Sequence, residues 1–222
     1  MIVMVSNNAG GLVHYLAGRY PGKIGWLIGT NCWKEPRRWL PYAIDNGKFS
    51  AWGKDQAFGG NVDMGKVEWT EELFFNLLDR CVLCRYKPLW VSVPDEVGNP
   101  EQTLYLWDLY EKRIRDYGWP LAFVVQDGMS PKDVPKSAEV VFLGGSTEWK
   151  WRNAALFGAV FPRIHVGRVN WVDKLEFCDR LGAESCDGTG FFRGGEDCQQ
   201  SEQLQEFIAG RRRDTEQMKL FV

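Results

Sequence analysis

Short, mostly apolar runs alternate along the chain with stretches whose apolar residues recur every three to four positions. Residues 2–6, 24–29, 42–44, 89–93, 121–126, 140–144, 163–167 and 184–186 read as strands. They are short and rich in Val, Ile, Leu and aromatic residues, as strands buried on both faces must be. Residues 11–20, 70–81, 102–118, 146–160, 171–182 and 201–213 read as helices. Thr70 ahead of Leu73, Phe74, Leu77 and Leu78 gives a cap and a helical stripe, and Gly118 and Gly182 stand where helices should stop. Strands that alternate with helices pair in parallel through right-handed crossovers. Eight of them predict a compact (β/α)8 TIM-like barrel, a single domain over residues 1–222, short for that fold. The Gly- and Lys-containing region 46–69 has no strong period and reads as a long loop after the third strand, of the kind that serves as a lid.

Composition narrows the function classes. The 222 residues are 45% hydrophobic and 25% charged, which is enough for one well-packed core. The formal net charge of −2 gives no global field for nucleic acid, so any such binding needs a local patch. Eleven Trp offer large flat surfaces for packing or for stacking on planar rings. No apolar run approaches membrane-spanning length, and the apolar run at the N-terminus is too short for a signal peptide, so a soluble, cytoplasmic protein is expected. Six irregularly spaced Cys fit free thiols in a reducing compartment.

The residues just past each strand suggest the chemistry. In a barrel of this type the active site lies at the C-terminal strand ends. There the chain places Asp45-Asn46-Gly47, Pro94-Asp95-Glu96, Gln126-Asp127-Gly128, Gly144-Gly145-Ser146, Gly167-Arg168 and Asp187-Gly188. Gly188 and Gly190 read as backbone flexible enough for a ligand to come close. Two carboxylates can divide glycosyl transfer between attack on a sugar carbon and proton handling. A carboxylate beside an amide and glycine N–H groups can read the edge of a planar heterocycle, on which Phe49 or Trp52 could stack.

These motifs, in this order over residues 40–192, resemble the queuine tRNA-ribosyltransferase (tRNA-guanine transglycosylase) superfamily. They resemble more closely the phage and bacterial DNA-guanine transglycosylases that insert 7-deazaguanines into DNA. The resemblance implies a pentosyltransferase that exchanges guanine in DNA for a free 7-deazaguanine base such as 7-cyano-7-deazaguanine, without a cofactor, in the host cytoplasm if phage-encoded. It implies Asp187 as nucleophile and Asp45 as general acid and base. It implies Asp95, Gln126, Gly144 and Gly145 as contacts to the heterocycle edge, and Phe49, Val166 and Gly167 against its faces. Lys48, Arg168 and Arg193 are the cations that would meet phosphate.

The tRNA enzymes carry three Cys and a His downstream of the nucleophile, whereas only Cys198 and no His follow Asp187 here. No metal is therefore expected, and Cys81 and Cys84 read as buried thiols. The missing basic stretch leaves tRNA as the second choice of substrate, and a partner protein could supply the DNA-binding surface. A guanine-removing glycosylase and a non-catalytic DNA-associated binding module remain alternatives.

Overall fold

The computed structural model describes residues 1–6, 10–31, 33–49, 69–193 and 198–210. Eight strands close into a parallel barrel in sequence order, with the last paired to the first. They are β1 (Ile2–Val5), β2 (Ile24–Ile28), β3 (Tyr42–Ile44), β4 (Val91–Ser92), β5 (Leu121–Val125), β6 (Val140–Leu143), β7 (Ile164–Val166) and β8 (Ser185–Asp187). Among the described residues six helices surround them: α1 (Gly11–Arg19), α2 (Glu71–Val82), α3 (Pro100–Arg115), α4 (Thr147–Gly158), α5 (Val172–Arg180) and α6 (Gln199–Ile208). The expected barrel is thus formed, with every expected strand in it. Most of the expected lid (50–68), including Trp52, and the Arg211–Arg213 run lie outside the described residues.

Side-chain caps set several helix starts. Thr70 accepts from Leu73 N, Asn99 from Gln102 N and Ser146 from Trp149 N. The Asn99 cap with Pro100 at the first turn starts α3 two residues before the apolar period does, because Pro fits that position without needing its missing N–H. Gly118 and Gly182 follow α3 and α5 with φ of 72° and 78°, the left-handed conformation that ends a helix. The β4 ladder is shorter than its apolar run: Leu89, Trp90 and Val93 flank it, and Trp90 is wholly buried.

The core has two layers. Met4, Leu27, Ala43, Trp90, Ala122, Val124, Val140 and Phe142 fill the barrel interior. Their strand neighbours, such as Val3, Val5, Ile44, Phe123, Val141 and Val166, pack outward with helix residues including Leu16, Phe74, Trp107 and Phe157. The alternation is the period of two of a β-strand. Register carries it between strands: Met4 pairs with Asp187, and His165 with both Phe142 and Ser185. Asp187, His165 and Ser185 therefore share the inward side with Met4 and Phe142.

Trp90 is the largest side chain of the interior layer, with ring centroids 5.8 Å from Phe142 and 4.7 Å from His165. Trp90→Ala is expected to cost about 3–5 kcal/mol from lost transfer and a residual cavity. Chemical denaturation would show this as a lower midpoint at an unchanged slope; an unchanged midpoint would mean that the interior repacks.

Candidate active site

The inward positions extended past the strand ends deliver the mouth of the barrel. Continuing the parity gives Ser6 from β1, Asp45 from β3, Gln126 from β5, Gly144 from β6, Gly167 from β7 and Asp187 from β8. All of them line one cavity of about 480 Å³. Asp95, Asn46, Phe49, Gly145, Arg168 and Arg193 line it too. Of the residues expected from sequence, Asp45, Asp95, Asp187, Gln126, Phe49, Gly144, Gly145, Gly167, Arg168 and Arg193 therefore share one site. Val166 does not: it has outward parity and is buried against the helix layer. Lys48 also lies outside the lining, with its ammonium 3.0 Å from Glu96 and over the Trp69 ring at 4.7 Å.

Asp45 and Asp95 stand in different polar settings on one side of the mouth. Burial pushes the Asp45 carboxyl up to about 7, and the charges of Asp187 and Asp95 push the same way. A backbone N–H of Gly47 and the Ser92 hydroxyl, 3.5 Å away, oppose the shift. Burial raises Asp95 to about 6 against the pull of Asn46 and Lys48. Both oxygens of Asp95 accept amide hydrogens: Oδ1 from Asn46 Nδ2 at 2.8 Å and Oδ2 from Gln126 Nε2 at 2.7 Å. Asn46 also donates to Val93 O, and Gln126 Oε1 accepts from Gly98 N. The result is a connected polar floor whose buried groups are satisfied.

Asp187, at the end of β8, is held through one oxygen. Its Oδ1 lies 3.1 Å from His165 Nε2 and accepts from Arg168 N at 3.2 Å. Arg168 reaches it with φ of 57°, a left-handed conformation unusual for a residue with a side chain. The turn is tied down by Lys150 Nζ donating to Gly167 O and by the Arg168 guanidinium donating to Gly145 O. Burial and the nearby Arg168 lower the Lys150 ammonium to about 8. The Arg168 guanidinium also sits 4.5 Å over the Phe49 ring.

Gly188, which lines the cavity, also answers to packing. A Cβ on Gly188 would lie 2.0 Å from Val169 O, so the residue is small because the backbone after β7 crosses it. At Gly145, with φ of 62°, a Cβ would meet Asp127 Oδ1 at 2.5 Å.

Fold and site together define a TIM barrel with a carboxylate-lined mouth. No protein-family model matches the chain, and no curated protein matches it. Solved structures do. The structure described as native KDPGal aligns with a TM-score of 0.52 at 12% identity, covering 97% of this chain and 95% of that one. The 3-hexulose-6-phosphate synthase from Salmonella typhimurium aligns with a TM-score of 0.48 at 9% identity, covering 95% and 100%. At such identities the likeness speaks for the fold.

These neighbours correct the family resemblance. They come from other TIM-barrel families, and no tRNA-guanine transglycosylase appears among them. Guanine exchange in DNA or tRNA for a 7-deazaguanine is therefore withdrawn, together with the glycosylase and DNA-bound variants of that reading. The physical reason is that an ordered series of Asp, Gln and Gly at strand ends is what this fold yields generally. Its loops must turn at glycine and its mouth is the polar end of the barrel. Order at strand ends thus identifies the architecture and not the family.

Sequence reading assigned no role to four residues that shape the site. Asn46 and Ser92 were legible in principle, one as the neighbour of Asp45 and the other as the inward polar residue of β4. His165 and Lys150 carried no local signal, since their partners are 22 and 17 residues away.

The ionisation of Asp45 sets a pH dependence. Its folded value is raised above the usual 3.8, so the folded state holds a proton that the unfolded chain releases. Its contribution to stability is therefore lost as pH rises from about 4 to about 7. Asp45→Asn cannot ionise and is expected to recover about 2 kcal/mol at pH 8, a discounted share of the shift. Thermal melts at pH 5 and pH 8 check this; an identical pH dependence in both proteins would remove Asp45 as the titrating group.

Proposed function

We propose that the barrel mouth is the active site of an enzyme that transfers a pentosyl group through its carboxylates. The observation that carries the reading is a pair of carboxyl groups on one cavity with opposite equipment. Asp45 is poised near neutral pH to give and take a proton. The described hydrogen bonds to Asp187 both fall on Oδ1, leaving Oδ2 as the oxygen without a described partner in a residue that lines the cavity.

The two side chains then divide one reaction. Asp187 Oδ2 bonds to the anomeric carbon as the bond from that carbon to the leaving group breaks. The Asp45 proton passes to the leaving group. An acceptor next loses its proton to Asp45 and takes the anomeric carbon, and the ester to Asp187 breaks. Asp95 and Gln126 supply acceptors and donors for a planar, polar leaving group, and Phe49, 39% exposed, offers it a ring face. Arg168, Lys174 and Arg193 line the side of β7 and β8, where an anionic substituent of the pentose would sit.

An imine mechanism at a lysine is less well served. It needs an accessible amine. Among the described lining residues the only lysine is Lys174, which pairs with Asp173 at 3.5 Å, and the Lys150 amine is buried behind Gly167.

The test incubates the protein with a panel of nucleosides and phosphorylated pentosides carrying isotope-labelled leaving groups, then analyses acid-quenched protein by mass spectrometry. A pentosyl adduct on the peptide containing Asp187, absent in Asp187→Ala and Asp187→Asn, is expected. Asp45→Asn should keep binding but lose turnover by about 100-fold or more. Where the first step limits, the rate should fall as pH rises through about 7, as the Asp45 acid form disappears. Full turnover by Asp187→Ala, or solvent deuterium entering carbonyl substrates without pentosyl transfer, would refute the reading.

A further inference from the structure

We infer that His165 is the residue that positions Asp187, through an ordered chain from Ser185 to His165 to Asp187. The inference rests on the proposed function for the role of Asp187, but not for the chain itself. His165 and Ser185 are wholly buried on the inward side of β7 and β8, paired in register. His165 Nδ1 lies 2.8 Å from Ser185 Oγ, and Nε2 lies 3.1 Å from Asp187 Oδ1. The imidazole is wedged between the Trp90 and Phe142 rings, with centroids at 4.7 and 4.5 Å.

The direction of the protons follows from counting donors. The Ser185 hydroxyl has one hydrogen and no acceptor among its described contacts except His165 Nδ1. A proton on Nδ1 would leave that buried hydroxyl hydrogen without an acceptor, which a buried polar group does not tolerate without cost. Nδ1 therefore accepts, the ring is the Nε2–H tautomer, and Nε2 donates to Asp187. Together with Arg168 N it fixes Oδ1 and leaves Oδ2 without a described partner in a residue that lines the cavity. The trio is not a serine-hydrolase triad: Ser185 is 0% exposed, and the carboxylate is the end of the chain that meets the cavity. His165 is thus a positioning residue, and its tautomer is set from behind by a hydroxyl, as a metal ligand's is by its outer partner.

The chain contains only two histidines, His14 and His165, so the ring nitrogens of ¹⁵N-histidine protein can be assigned with a His14→Gln variant. The resting protein needs no substrate for this measurement. The expected spectrum shows His165 with an unprotonated Nδ1 and a protonated Nε2. The Nε2–H proton should be shifted downfield and should move upfield in Asp187→Ala, while Nδ1 should move in Ser185→Ala. A protonated Nδ1, or an Nε2–H resonance indifferent to Asp187→Ala, overturns the chain whatever the enzyme's substrate. Where pentosyl transfer is established, His165→Gln, which keeps a donor near Nε2, should retain more than about a tenth of kcat. His165→Leu, with the same fold by circular dichroism, should lose at least about 100-fold in kcat with little change in KM. Equal kcat in the two variants would reduce His165 to packing, even with Asp187 proven as the nucleophile.

Discussion

The alternation of inward and outward side chains around a closed parallel barrel is the constraint on which the rest depends. Each strand has an inner parity, set by residues such as Met4, Ala43, Trp90, Val124, Phe142 and His165. Once apolar side chains fill that layer, the next inward residue on each strand has nowhere to point but the mouth. Asp45, Gln126 and Asp187 reach one cavity by this rule although they are far apart in sequence. Val166 fails to reach it by the same rule, one residue out of phase.

Bringing carboxyl groups into one partly enclosed space has an electrostatic cost, and the mouth meets it unevenly. Asp95 is surrounded by amide donors from Asn46 and Gln126, with Lys48 nearby. Asp187 has a backbone N–H, an imidazole, and the charges of Arg168 and Lys150 behind it. Asp45 receives least: one backbone N–H and a long contact to Ser92, against burial and two like charges. The cavity therefore contains one carboxyl that holds its proton near neutrality beside one that is fixed as an acceptor. Such a split is destabilising for the fold and useful only for chemistry.

The legible part of the structure is the part held by local interactions. Strand and helix periods, the Thr70 cap and the glycine stops act within a few residues, and the barrel could be read from them. The strand-end carboxylates were also legible, because parity and architecture predict where they must meet. The supporting layer was not. His165 sits inside an apolar run, Lys150 on a helix, and Arg168 in a conformation that its residue type does not announce. Gly188 was legible as backbone at the mouth, but the crossing carbonyl of Val169 that also demands it is a tertiary fact.

The same division explains why strand-end motifs misidentified the family while the site still points to chemistry. Residues that line a barrel mouth are drawn from a small polar set in any such fold, so their identities discriminate poorly between families. The discriminating information lies one layer further out, in which oxygen of which carboxylate is held and by what. In this chain the N–H of a non-glycine left-handed turn and a buried histidine backed by a serine meet Oδ1 of Asp187, and a buried lysine holds that turn through the Gly167 carbonyl. A carboxylate needed only for solubility or for capping a turn would not require a strained backbone and two buried ionisable side chains to orient it. That so much structure orients one oxygen is the physical support for the proposal that the other oxygen reacts.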